Sequence, residues 1–306
     1  HQRFNSFGEE DFLPEAVHTM ETGIVFHKEK PYVVSHVLKG SAADKTGVSV
    51  MEGDELVRVD SFRVEGNMSR DFYFTRTSFA DETELTFRRN GSLFSVKIHP
   101  QNGISPSLYA QWIAGNQKRV TEKSKGKIAY VFMENVERAA FNQFIIEISR
   151  ELEGKEGLIL DLRYNDGGQM HDELLKFLSQ KSYASWKYRG GKMAKQGNFT
   201  PSDKPIILLI NEQTLSDGEM TATGFKGLKL GKVIGNESYH WEIYTRPFTL
   251  VDGSSVRVPS FGCYSLEGED LDRHGVKPDI KVINTFVDNI NGNDRQLDRA
   301  LKELLK

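Results

Sequence analysis

From about Glu21 to Pro100, apolar and polar positions alternate over short runs: TGIVF, PYVVSHVL, DELVRVD, ELTFRR and LFSVKI. That two-residue period, with its β-branched content, predicts strands that bury one face. Between them GSAADKTGV opens on small residues and closes at Gly47, which predicts a short helix with a glycine C-terminus. After QNGISPS the pattern changes to alternating strands and helices. GKIAYVFM is a strand, and Val136 to Leu152 spaces Phe141, Phe144, Ile145, Ile148 and Leu152 along one helical face. GLILDLRYN begins as an unbroken apolar run, which implies a strand buried on both faces. There follow the NDGGQ loop, a helix with Leu174, Leu175 and Leu178 inward, the strand PIILLI, and a helix ending near Gly231. A hairpin, EIYTRPFTLVDGSSVRVPSFG, turns at Asp252-Gly253. Cys263 is expected in a strand within Ser260 to Leu266, and the final helix, NDRQLDRALKELL, carries Leu297, Ala300, Leu301 and Leu304 on one side.

At 306 residues the chain has room for two domains. Lys plus Arg total 40 against 43 Asp plus Glu, so no global basic field exists to attract nucleic acid or anionic lipid. The lone Cys263 excludes an intramolecular disulfide and a thiolate metal cluster, and reads as a buried inert thiol. No apolar run reaches the length of a membrane span, and HQRFNSFGEEDF has no hydrophobic signal core.

The most chemically suggestive stretch is KPIILLINEQTLSDGEM, where an apolar strand runs into a polar loop that presents Ser216 at a helix start. A serine so placed has its backbone fixed by both elements while its hydroxyl faces a cleft. The next amide, that of Asp217, points out of the helix start, where a developing oxyanion is favoured. The same residues also spell a capping box, Ser-x-x-Glu, in which the serine satisfies a backbone amide and performs no chemistry.

Three segments, LILDLRYNDGG, PIILLINEQTLSDGE and HGVKPDI, combine in an order and spacing that resemble the C-terminal processing, or tail-specific, peptidases. The likeness covers nearly the whole chain. It implies an α/β (α+β) fold with a ClpP/crotonase-like serine protease core over 101–306 and a β-rich PDZ-like domain over 21–100. Residues 1–20 resemble the remnant of an N-terminal helical region. In the PDZ resemblance, carried by the glycine-bearing strand, GSAADKTGV and MEGDELVRVDSFRV, the strand Gly23, Ile24, Val25, Phe26 borders a groove for an added peptide strand, often a C-terminus.

Most members of that family pair the serine with a lysine, but Trp241 stands at that position in VIGNESYHWEIY and cannot accept a proton. This departure, with Ser-Asp-Gly-Glu at the nucleophile, resembles the tricorn core branch, which uses serine, histidine and an acidic residue. The resemblance implies Ser216 as nucleophile, Asp272 in LDRHGVKPD as the acidic residue, and His1 in HQRFNSF as the base. His240 and His171 compete with His1. If Trp241 faces the cleft on an extended strand, His240 should face away, and His171 reads as an ordinary polar residue on its helix. The NDGG loop offers Gly167 or Gly168 as one oxyanion-hole donor and the Asp217 N–H as the other.

The function implied is a serine endopeptidase acting on polypeptides, protein C-termini among them, without metal or organic cofactor. Relatives of that kind are usually exported, which implies a periplasmic or extracytoplasmic location. A catalytically inactive peptide-binding scaffold on the same fold is the rival, and an enoyl-hydratase-like acyl-CoA enzyme a third reading.

Overall fold

The computed structural model describes residues 3–5, 18–45, 50–76, 82–101, 103, 105–196 and 201–306. His1 and Gly47 lie outside the described residues. The chain divides into two units, 9–115 and 116–306, the second including residues 1–8.

In the first unit, the expected strands form two antiparallel sheets. Ile24–Phe26 pairs with Val34–Val37, and a four-stranded sheet runs in the order Phe62–Arg63, Glu55–Val59, Thr83–Arg89, Ser92–Ile98. Alternation does here what the sequence implied: Leu85 and Phe87 are buried along one face of their strand while Glu84 and Arg88 turn outward or to the rim. The short helix Ala42–Lys45 packs Ala42 and Ala43 into this core, and its start is fixed by Asp44, whose carboxylate accepts from the Gly40 amide at 2.7 Å. Gly23 precedes the first strand, and its carbonyl accepts from the Leu38 amide at 2.8 Å. Among the described residues Ile24–Phe26 is paired along one edge only. A helix not expected from the pattern, Arg70–Phe74, is capped by Ser69 and buries Tyr73 and Phe74.

The second unit is built on a five-stranded parallel sheet of β1 (Ile128–Phe132), β2 (Gly157–Asp161), β3 (Ile206–Ile210), β4 (Gly231–Gly235) and β5 (Ile280–Lys281), in that order. β1, β2 and β3 are buried at every position, because helices cover the sheet and leave no strand face to solvent. The helices used below are α1 (Arg138–Glu151), α2 (His171–Leu178), α3 (Asp217–Gly227) and α4 (Arg295–Leu304). Phe144 and Ile148 of α1, Leu174 and Leu178 of α2 and Phe225 of α3 join the sheet residues in one core, and α4 packs on β2, β3 and β4.

Several local expectations are corrected. α3 stops at Gly227, and Gly231 opens β4 instead of closing a helix. The hairpin Ile243–Thr249 with Ser255–Gly262 forms as expected, but its second strand ends one residue before Cys263, so the cysteine is not in a strand. The half-buried Cys263 thiol lies 3.1 Å from the Met220 sulfur. Of residues 1–20, expected as the remnant of a helical region, 1–2 and 6–17 lie outside the described residues; Arg3–Asn5 adds a third strand to the hairpin through Arg257, Val256 and Ser255, and His18–Thr19 pairs with Thr75–Arg76. The helix Ser105–Lys123 is also unanticipated. Among the described residues no helix is long and apolar enough to cross a membrane.

Candidate active site

In a parallel sheet all strand C-termini share one edge, so the loops after β2 and β3 are neighbours by construction. The loop after β2 carries LRYNDGGQ, and the loop after β3 carries NEQTLS. A buried polar network holds the first loop from below. Arg163, 1% exposed, donates from Nη2 to Asp161 Oδ2 at 2.6 Å and from Nη1 to both Asp294 oxygens at 2.9 Å. Burial works against the guanidinium charge, and the Asp161 and Asp294 carboxylates more than offset it, raising its pKa further. Asp161 also accepts from the Tyr130 hydroxyl at 2.8 Å, and burial pushes that phenol well above its ordinary range.

Asn165, fully buried, joins the two loops. Its side-chain amide donates to the Met133 carbonyl at 2.8 Å, its Oδ1 accepts from the Gly167 amide at 3.0 Å, and its carbonyl accepts from Leu215 at 2.9 Å. Asn211 and Thr214 repeat this from the second loop: Asn211 Oδ1 accepts from the Tyr164 amide at 2.9 Å, and the Thr214 hydroxyl donates to the Leu162 carbonyl at 2.8 Å.

Ser216 stands where β3's loop enters α3, half-buried, with φ 50° and ψ −121°. The glutamate half of the sequence's capping box is made, the Ser216 amide donating to Glu219 Oε2 at 3.0 Å, while Glu219 N donates to the Ser216 carbonyl. The serine nevertheless lies outside the extended conformation of ordinary N-caps, in a region that costs a non-glycine residue about 1–3 kcal/mol. Glu219 holds it there. This fully buried carboxylate accepts from four donors: Ser216 N and Trp241 N (2.8 Å) on Oε2, and His240 N (2.9 Å) and the Ser238 hydroxyl (2.5 Å) on Oε1.

The glycines lie against that serine. A Cβ placed on Gly167, at φ 92°, would sit 2.8 Å from Ser216 Cβ, 3.3 Å from its Oγ and 3.4 Å from the Asp217 nitrogen. Only a glycine permits this approach. Gly168 packs on the Val136 backbone, where a Cβ would come within 2.3 Å of the carbonyl carbon. The Gly167 amide is taken by Asn165, whereas among the described residues neither the Gly168 nor the Asp217 amide donates to a protein acceptor.

The Asp217 side chain, 5% exposed, turns to the start of α2, where Oδ2 accepts from the Met170 amide at 2.9 Å and the His171 amide at 3.0 Å. Its Oδ1 hydrogen-bonds His171 Nδ1. That bond raises the imidazole pKa above its usual value, against the opposing effect of burial. His171 is therefore not the ordinary helix-surface residue the sequence suggested. No periodicity rule links positions 171 and 217, so the pair was invisible to it. Glu242 was also missed: its carboxyl is pushed to about 8 by burial first and then by the Glu219 and Asp217 charges, and its Oε2 is buried with no hydrogen-bond partner. Burial likewise raises the nearby Cys263 thiol.

The remaining expected residues fall as follows. Residues 237–242 are not an extended strand, so the face argument for His240 fails there: His240 adopts φ 68°, and its ring lies against Gly275 and 3.5 Å from Glu237. Trp241 stacks on Tyr239 with ring centroids 5.5 Å apart. Asp272 is half-buried in the short helix Leu271–His274, its amide donating to Asp270 Oδ1 at 3.1 Å. No group of three or more His, Cys, Asp or Glu among the described residues has the geometry to hold a metal ion.

Comparison with known proteins completes the picture. The family model described as peptidase family S41 matches residues 127–282. The chain is 33% identical over 262 residues to a tricorn protease homolog of Saccharolobus solfataricus, covering 85% of this chain and 24% of that one. It is 26% identical over 279 residues to the chloroplastic C-terminal processing peptidase of Tetradesmus obliquus, covering 83% and 57% respectively. The crystal structure of the tricorn protease superposes with a TM-score of 0.82 at 22% identity, over 100% of this chain and 31% of that one, which shows a shared fold. The chain thus spans about a quarter of the tricorn-type relative it matches.

Proposed function

The chain belongs to peptidase family S41, and from that premise we propose that its second unit cleaves polypeptides through an acyl-enzyme on Ser216. The observation that carries the reading is the conformation of Ser216, held at φ 50° between a buried strand and a helix with the Gly167 backbone against its hydroxyl. A cap alone has no use for that strain, whereas a nucleophile presented on a sharp strand-to-helix turn does.

In the proposed reaction Ser216 Oγ attacks the scissile carbonyl, a histidine takes the hydroxyl proton, and the tetrahedral oxyanion is received by main-chain amides. Collapse expels the amine, which takes the proton back from the histidine, and water then hydrolyses the ester. The amides of Gly168 and Asp217 are the donors whose lack of a protein acceptor supports this role, with Gly167 giving the clearance beside the hydroxyl. With tryptophan at the lysine position, the base is a histidine. His1 remains the candidate: the strand that begins two residues after it, Arg3–Asn5, joins the hairpin of the unit that carries Ser216. Asp272 is the candidate to orient it.

We assign the first unit a peptide-binding role of the PDZ kind, supported by the singly paired strand Ile24–Phe26 that Gly23 precedes. The substrates proposed are polypeptides, their C-termini included, and the proposed location is extracytoplasmic; the algal relative is described as chloroplastic.

A fluorophosphonate probe tests the reading. It should label Ser216, and Ser216→Ala should abolish both labelling and cleavage of a denatured protein substrate. Unchanged cleavage by Ser216→Ala would refute it, and a parent chain that resists the probe and binds peptides without cleaving them would establish the scaffold instead.

A further inference from the structure

The two amides proposed to receive the oxyanion come from different loops, one after β2 and one after β3, so their spacing must be set by something that spans both. The Asp217 side chain does so. Asp217 supplies one amide from its own backbone, and its carboxylate grips the chain two and three residues beyond Gly168, accepting from Met170 N at 2.9 Å and His171 N at 3.0 Å. The third bond, to His171 Nδ1, uses the remaining oxygen. α2 has no cap from its own N-terminal residue Met170, so Asp217 supplies the acceptor that this helix start otherwise lacks. The carboxylate is 5% exposed, where hydrogen bonds to a charged acceptor are strong and geometrically demanding.

Resting on the reading of Ser216 as nucleophile, we propose that the Asp217 carboxylate and the His171 imidazole are positioning residues that lock the two halves of the oxyanion hole at a fixed separation. His171 does not touch the substrate in this arrangement. Its Nδ1 keeps Asp217 turned toward α2, so that the Asp217 carboxylate does not swing toward the reacting carbonyl and place a negative charge where the oxyanion forms. The charged groups around the imidazole are Asp217 through the hydrogen bond, Asp172 on its own helix with Oδ1 3.7 Å from Nε2, and Glu242 from the segment after Trp241. The Asp217 and Asp172 carboxylates favour the protonated ring and hence the charge-assisted bond, whereas Glu242, its carboxyl pushed to about 8, adds its charge only as the pH approaches and passes that value.

The test uses the full chain and three variants: Asp217→Asn, His171→Leu and His171→Asn. Asn at 171 keeps a side-chain N–H near the position of Nδ1, and Leu does not. With a fluorogenic peptide that the parent cleaves, Asp217→Asn and His171→Leu should lower kcat roughly tenfold to hundredfold with KM unchanged, the scale of a misplaced oxyanion donor. His171→Asn should return to within about threefold of the parent. Independently of activity, the NMR titration midpoint of the His171 ring should fall in Asp217→Asn. Parent-like kcat in both Asp217→Asn and His171→Leu overturns the proposal, as does an unmoved His171 midpoint. A His171→Asn variant as dead as Ser216→Ala also overturns it, and makes His171 the proton acceptor. If Ser216 itself proves unreactive, the peptidase reading fails on the probe, while the midpoint still decides whether the Asp217–His171 clamp exists.

Discussion

Replacing Glu219 by Gln changes one oxygen to an NH2 group and should disarm Ser216, the proposed nucleophile, without touching its hydroxyl. Each Glu219 oxygen accepts from two donors, Ser216 N and Trp241 N on one and His240 N and the Ser238 hydroxyl on the other. A glutamine keeps both bonds on one side only: its NH2 faces either the Ser216 and Trp241 amides, which can only donate, or the His240 amide and the Ser238 hydroxyl, of which the hydroxyl can also accept. A hydrogen bond to a charged group contributes about 1.5–3 kcal/mol, so losing one or two costs about 1.5–6 kcal/mol before relaxation. For a unit of this size that is a fall in melting temperature of roughly 3–24 °C. Which side is orphaned also decides what happens to activity. If Ser216 N loses its acceptor, the serine at φ 50° is left to the bonds of its carbonyl with Glu219 N and Met220 N, and its strained backbone is freer to relax toward an ordinary cap. Differential scanning calorimetry and the rate of fluorophosphonate labelling, measured on the same preparation, check both effects. A Glu219→Gln variant that melts within about 2 °C of the parent and labels within twofold of its rate would refute the assignment of Glu219 as the support of the nucleophile.

Gly167→Ala should slow acylation by a hundredfold or more and destabilise by about 1–3 kcal/mol, since its Cβ would lie 2.8 Å from Ser216 Cβ at a φ of 92°; single-turnover labelling and urea denaturation read the two losses. Arg163→Met should cost about 3–5 kcal/mol by stranding Asp161 and Asp294, visible as a lower urea midpoint, with a parent-like midpoint counting against the network. Glu242 has a folded-state pKa raised from 4.5 to about 8, so the native state binds the extra proton and stability falls as pH rises from about 4.5 to 8. Glu242→Gln should flatten that decline and melt higher than the parent at pH 8.5, by about 2–4 kcal/mol at most, as thermal melts across the pH range would show.

Alternation and unbroken apolar runs made the strands legible: LTF in the first unit buries every second residue, and IILLI of β3 buries all five. The NDGG and SDGE segments are legible as a candidate site because what they need is local, a turn that requires glycine and a serine at a helix start. The helix Ser105–Lys123 was missed because its inward face carries the polar Asn116 beside Val120, which breaks the apolar period. His171 and Glu242 were missed for a different reason. Their roles come from charges 46 and 23 residues away on other elements, Asp217 and Glu219, and a reading along one strand or one helix turn cannot measure that distance. The face argument for His240 and Trp241 presumed regular extension, and the four-donor demand of Glu219 bends that segment out of it.

The guanidinium beneath the glycine loop after β2 is neutralised by Asp161, close by in sequence, and by Asp294, which lies 131 residues further along the chain. A nascent polypeptide that has already emitted Ser216 holds this buried cation with only the first of these carboxylates until residue 294 is made. Order in the glycine turn beside Ser216 is thereby coupled to sequence made well after it, and the turn settles fully only once the stretch carrying Asp294 has arrived.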